Sequence, residues 1–142
     1  MRQTLIAVIS LLVMSAARPE ASGQSSGLWN DEVFDNRIKT VQLYREEWNL
    51  SYPVIKKGSS DRLVLSFDLL SDQPETYYYT FIHCDKDWRE SSIFPSDYLD
   101  GLQEEQIEDY KPSFNTRISY YHYRLLFPDD RISIRYSGNY AI

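Results

Sequence analysis

Residues 62–69 read Arg-Leu-Val-Leu-Ser-Phe-Asp-Leu, so Leu63, Leu65, Phe67 and Leu69 occupy every second position. Successive side chains of an extended chain point to opposite faces, so a strand gathers these four on one side. A helix would scatter them around its axis. Tyr121, Tyr123, Leu125 and Phe127 repeat the pattern against Tyr120, His122 and Arg124. Ile132, Ile134 and Tyr136 repeat it against Arg131, Ser133 and Arg135. Half-buried strands need lateral partners and a second layer, which makes the expected class all-β. The 12 tyrosines agree, because aromatic rings suit a pleated surface. A length of 142 residues, with 42% hydrophobic, supports one packed domain.

The remaining segments fill in around these runs. Ile38 to Tyr44 reads as a first strand, Arg45 to Ser51 as a connection, and Tyr52-Pro53-Val54-Ile55 as a short edge piece. Pro53 removes a ladder donor and excludes a central position. Lys56 to Asp61 and Ser71 to Pro74 are turns. Thr76 to Cys84 carries bulky groups at both parities, which predicts a central strand covered on both faces and hairpinned to 62–69. Residues 85–116 are acidic, with irregularly spaced apolar groups, and read as a long loop pinned by Trp88, Phe94, Tyr98, Tyr110 and Phe114. Short helical turns are expected at Ser96 to Leu102 and at Glu104 to Ile107. Tyr140-Ala141-Ile142 begins another strand, expected to be incomplete. The pattern predicts an antiparallel β-sandwich, immunoglobulin-like in the broad sense, with a long acidic loop region and an incomplete C-terminal strand. A single cysteine, Cys84, leaves it without an internal disulfide.

Residues 1–23 read as a signal peptide and 28–142 as the domain. Arg2 is the positive start, Leu5 to Met14 a short apolar run, and Ala21-Ser22-Gly23 a small-x-small cleavage site before Gln24. Ser15-Ala16-Ala17 is an earlier alternative. No cysteine follows the apolar run, so no lipid attachment is expected. Nothing downstream is long and apolar enough for a transmembrane helix. Removing residues 1–23 takes away Arg2, Arg18 and Glu20, which leaves 13 basic against 20 acidic side chains, net −7. An acidic domain repels phosphate backbones, so no nucleic acid is expected as a partner, nor an anionic membrane held by overall charge alone. One unpaired thiol in an exported chain fits a bacterial periplasm.

The reactive-looking residues support a contact surface better than chemistry. His83-Cys84-Asp85 offers a base, a thiol and a carboxylate, yet neighbours on a strand face opposite ways. The plainer reading is a strand end, with Cys84 buried as a small hydrophobe and Asp85 opening a turn. A Cys84–His122 dyad lacks an orienting third group and an oxyanion loop. Two histidines and one cysteine without ligand spacing do not make a zinc site. Asp85-Lys86-Asp87 with Glu90 lacks the glycine and closing glutamate of a calcium loop. No metal, other cofactor or catalytic residue is expected. Tyr78, Tyr120 and His122, if outward, are candidates for partner contact, together with Asp85, Asp87 and Trp88 of the acidic region.

A set of segments then becomes recognisable. Ile38-Lys39-Thr40-Val41-Gln42-Leu43, Leu65-x-Phe67-Asp68-x-Leu70, and Tyr77-x-Tyr79 with Ile82-His83-Cys84-Asp85-x-Asp87-Trp88-x-x-Ser91 resemble the type IX secretion system plug protein family. So do Tyr98-Leu99-Asp100-Gly101, Ile107-x-Asp109-Tyr110, Ser113-Phe114-Asn115-Thr116, Tyr120-x-His122-Tyr123 and Ser137-Gly138-Asn139-Tyr140. The resemblance runs in order from about Asn36 to Ile142. It implies the family's first β-sandwich domain, in a chain shorter than its relatives. It implies a non-enzymatic periplasmic component in Bacteroidota whose partner is the outer-membrane translocon barrel, closed by the plug when idle. The competing expectations are a periplasmic carbohydrate- or protein-binding module and, behind it, a hydrolase domain.

Overall fold

The computed structural model describes residues 31–142; the expected signal peptide lies outside them. The chain is all-β and antiparallel throughout. Strand β1 (Ile38–Arg45), β2 (Leu63–Leu69), β7 (Asp109–Pro112) and β8 (Tyr121–Phe127) form one sheet in the order β1-β2-β8-β7. The other strands form two-stranded ribbons. Strand β3 (Tyr78–Thr80) pairs β6 (Glu104–Gln106), β4 (Ile82–Cys84) pairs β10 (Asn139–Ala141), and β5 (Leu99–Gly101) pairs β9 (Ile132–Ile134). Among the described residues the helical content is one turn, α1 (Pro95–Tyr98), opened by a proline that suits a first helical position.

The core lies between the sheet and the ribbons. Leu63, Phe67, Leu69, Tyr123, Leu125 and Phe127 contribute from the sheet. Tyr79, Phe81, Tyr98, Leu99, Ile107 and Ile132 contribute from the ribbon side. These are the inward positions of the alternating runs, as the period-2 pattern requires. Phe67 and Tyr123 are direct partners on β2 and β8, and their rings stack at 5.0 Å and 4°.

Four expectations change. First, β2 is covered on both faces, with Val64 1% and Ser66 2% exposed. The register explains it: Val64 sits between Tyr44 and Leu126, and Ser66 between Gln42 and Arg124, so longer neighbours close over short side chains. Second, residues 76–84 do not hairpin with β2. They lie in the other layer and break at Phe81, where the partner switches from β6 to β10, and Tyr78 and Thr80 face outward. The crossing is fixed at Glu75, whose N–H donates to the Tyr123 hydroxyl at 2.8 Å and whose carbonyl accepts from it at 2.7 Å. Third, the acidic stretch 85–116 holds α1 and three short strands. All three strands are paired along their whole length, and two of their carboxylates meet arginines, Glu105 with Arg131 and Asp100 with Arg135. The expected helical turn at 104–107 is therefore strand β6. Fourth, Tyr52 to Ile55 forms no strand. The C-terminal strand β10 is paired with β4.

Tyr123→Phe removes the hydroxyl that serves both backbone groups of Glu75. Leaving a fully buried donor or acceptor unmet costs about 1–3 kcal/mol, and the Glu75 groups are part-buried, so the loss should lie toward the lower end, about 1 kcal/mol. Urea unfolding should show that loss as a lower midpoint with an unchanged slope.

Candidate partner-contact site

Strand β4 ends at Cys84, and the chain reverses through residues 85–89 to return beside it. The reversal is closed by backbone: the Asp85 N–H donates to the Arg89 carbonyl at 2.8 Å and the Trp88 N–H to the Asp85 carbonyl at 3.2 Å. It is also closed by a side chain, since Asp85 Oδ1 accepts the N–H groups of Asp87 at 2.8 Å and Arg89 at 3.0 Å. Those two amides, Arg89 foremost, hold the Asp85 carboxyl below its ordinary range. Asp85 is thus the residue that builds the turn, as its position at a strand end implied. Trp88 sits in the left-handed region at φ 58°, which turns its indole out to 44% exposure. Asp87 is outward and pairs with the Lys86 ammonium at 2.8 Å.

Beneath the turn lies an aromatic cluster drawn from distant parts of the chain. The buried His83 ring stands 5.1 Å from Tyr140 and 5.7 Å from Tyr98. Its Nδ1 shares a hydrogen bond with Ser91 Oγ at 2.8 Å. The Tyr98 hydroxyl donates to the Phe81 carbonyl at 3.0 Å, and burial pushes the Tyr140 hydroxyl up to about 12. Gly138 lies flat on the imidazole: a Cβ there would stand 2.3 Å from His83 Nε2. Next to it, the Asn139 amide donates to the Asp85 carbonyl at 2.9 Å. The segments around His83, Tyr98 and Gly138 therefore converge on one place and hold the 85–89 turn from below. Cys84 is 1% exposed, and burial raises its thiol pKa. It acts as a small core side chain.

The other candidates stand elsewhere. Tyr78 is 61% exposed on the outer face of the β3–β6 ribbon. His122 is on the outer face of the four-stranded sheet, across the core from Tyr78, and its Nδ1 meets Asp68 Oδ1 at 2.7 Å. It is engaged there and not with Cys84. Tyr120 precedes β8 and closes the β7–β8 loop, with its N–H on Ser113 Oγ at 3.0 Å and its carbonyl accepting the Ser113 N–H at 2.8 Å. The six candidates thus divide between one turn and three separate positions. Of the five aromatics expected to pin the acidic region only Tyr98 is buried, with Phe94 73% exposed, and the β1–β2 connection carries an exposed apolar group that the sequence reading did not single out. Phe114 stands 93% exposed at the tip of the β7–β8 loop, and Trp48, Leu50, Tyr52 and Val54 are exposed on the β1–β2 connection. The alternation of the latter four was a visible signal, absorbed into the expected connection and edge piece. Among the described residues no carboxylate, histidine and cysteine group has the makings of a metal site, and no helix is long and apolar enough to cross a membrane.

Replacing Asp85 by alanine should abolish hydrogen-exchange protection at the Asp87 and Arg89 amides, while asparagine, which keeps an acceptor, should retain most of it. A carboxyl whose folded pKa is depressed stabilises the turn above its unfolded pKa, near 3.8, and loses that contribution as pH falls through the lower folded value. Turn protection in the native protein should accordingly hold from neutrality down to about pH 4 and fade below it.

Comparison with known proteins places this geometry. Residues 38–142 match the model of the type 9 secretion system plug protein first domain. A crystal structure of a protein from Parabacteroides merdae superposes with a TM-score of 0.73 at 35% identity, over 75% of this chain. This chain spans 27% of that protein's length. No curated protein matches. The chain belongs to the type 9 secretion system plug protein family and carries its first domain.

Proposed function

We propose that this domain is a non-enzymatic, periplasmic element of the type IX secretion system that helps close the outer-membrane translocon barrel by binding it. The observation that carries the reading is the construction of the 85–89 turn. The Asp85 carboxylate and the side-chain amide of Asn139, 54 positions away, hold its backbone, and it offers Asp87 and Trp88 outward. A side chain whose conformation is set before binding loses little entropy on contact, and an aromatic anchor is the commonest strong point of a protein interface. A sugar-binding platform would instead need coplanar rings on one face. Tyr78 and Tyr120 stand on separate elements, which favours a protein partner. The N-terminal apolar run and its small-x-small site support export to the periplasm, and the Parabacteroides merdae relative supports a Bacteroidota setting.

Crosslinking in a cell that carries the secretion system tests this. The native chain should be captured with the translocon barrel, and the Asp87→Ala/Trp88→Ala double variant should be captured at least about tenfold less, the equivalent of about 1.4 kcal/mol. Equal capture of the variant would remove the turn as the contact. No capture of the native chain would remove the plug reading.

A further inference from the structure

The connection between β1 and β2 exposes large apolar side chains one after another. Trp48 is 62% exposed, Leu50 82%, Tyr52 87% and Val54 69%. Single exposed apolar residues are ordinary, but four within seven residues mark a surface that meets something other than water. The backbone beneath is not loose. The Trp48 N–H donates to the Arg45 carbonyl at 2.9 Å and the Ser51 N–H to the Trp48 carbonyl at 3.0 Å. The Arg45 N–H is received by Ser51 Oγ at 2.8 Å, and the Val54 N–H donates to the Tyr52 carbonyl at 2.8 Å. Two ion pairs brace the base, Arg45 with Asp61 at 3.1 Å and Arg62 with Glu46 at 2.8 Å. The four side chains are held out by construction.

We infer that this loop is an anchor for a lipid surface. A protein interface draws its apolar centre from several elements and rings it with polar groups. Here the apolar groups all come from one connection, where they alternate with Asn49, Ser51 and Pro53, and the paired charges lie at its base. That layout suits entry into the boundary between headgroups and acyl chains, where Trp and Tyr are favoured because each has an apolar body and a polar edge. The charge agrees. Residues 45–62 hold four basic side chains against three acidic ones, a local +1 in a chain of net −6. Lys56 and Lys57 follow directly after the apolar stretch and make no ion pair among the described residues. Their ammonium groups can reach lipid phosphates while the stems lie on the apolar surface. The overall negative charge of the domain repels the same surface, so the loop is the part that leads. This inference needs no protein partner and stands apart from the plug reading.

The test uses the full chain with vesicles of phosphatidylethanolamine and phosphatidylglycerol at three to one. Trp48 is the reporter, isolated by difference from Trp48→Phe. Its emission should shift to the blue on adding vesicles and be quenched by brominated acyl chains. Leu50→Asp with Tyr52→Asp should abolish that quenching, and Lys56→Glu with Lys57→Glu should weaken it severalfold on these vesicles but not on neutral phosphatidylcholine. All four positions are exposed, so far-ultraviolet circular dichroism should be unchanged in each variant. Trp48 emission indifferent to brominated lipid would overturn the inference. So would a concentration-dependent dimer that the Leu50→Asp/Tyr52→Asp variant loses, since the loop would then be an interface between copies.

Discussion

The Tyr123 hydroxyl is the point on which the two layers depend. Its ring belongs to the four-stranded sheet, stacked on Phe67 and met edge-on by Tyr77 at 5.1 Å. Its oxygen belongs to the crossing, because it satisfies both backbone groups of Glu75. A chain leaving the end of β2 would ordinarily turn back and pair with it, as short connections favour. Capturing the Glu75 backbone instead directs the next residues over the edge of the core. Tyr77, Tyr79 and Phe81 then arrive facing the sheet from the opposite side. Arg37 reinforces the place from outside by bridging Asp35 and Glu75. One buried phenol thereby decides which layer the next strand joins.

That decision also marks where the sequence stops being legible. Alternation fixes which side chain of a strand faces inward, and Leu63, Phe67, Leu69, Tyr123, Leu125 and Phe127 are all buried. It contains nothing about which strand lies beside which. The pairing of β2 with β8 rests on contacts more than fifty residues apart, such as Phe67 on Tyr123, that no local pattern encodes. The acidic stretch 85–116 failed for a related reason. Its strands are three or four residues long, too short for a period to declare itself, and their carboxylates are matched by arginines from distant segments, Glu105 by Arg131 and Asp100 by Arg135. Val64 and Ser66 are hidden by neighbours across the sheet, which again is a property of register and not of their own type.

The candidate site divides in the same way. Asp85 was legible as a turn former, since aspartate at a strand end accepts the amides that follow it. Cys84 was legible as core. What could not be read was the distance between Gly138 and His83 in space. The glycine belongs where it is because the imidazole occupies the volume a side chain would need, and that contact joins residues 55 positions apart in the chain. Most of the residues gathered here therefore hold the turn, and few are shown to a partner. His83, Ser91, Tyr98, Gly138 and Tyr140 serve the frame, while Asp87 and Trp88 are presented.

A rigid frame beneath a displayed side chain recurs on the β1–β2 connection, and the recurrence bears on how the two surfaces would work together. In both places backbone hydrogen bonds and a short polar side chain, Asp85 in one and Ser51 in the other, fix the turn before anything binds. Both then expose a tryptophan. They differ in what surrounds it. Trp88 lies among Asp85, Lys86, Asp87, Arg89 and Glu90, three acidic and two basic side chains, whereas Trp48 leads into Leu50, Tyr52 and Val54 and then two lysines. An acidic surround is costly to bring against lipid phosphate but suits a basic protein surface; an apolar run ending in lysine suits the reverse. Under the proposed plug reading, the domain would have to meet protein and lipid at once. Two pre-set turns of opposite character on one small domain let each contact be made without weakening the other.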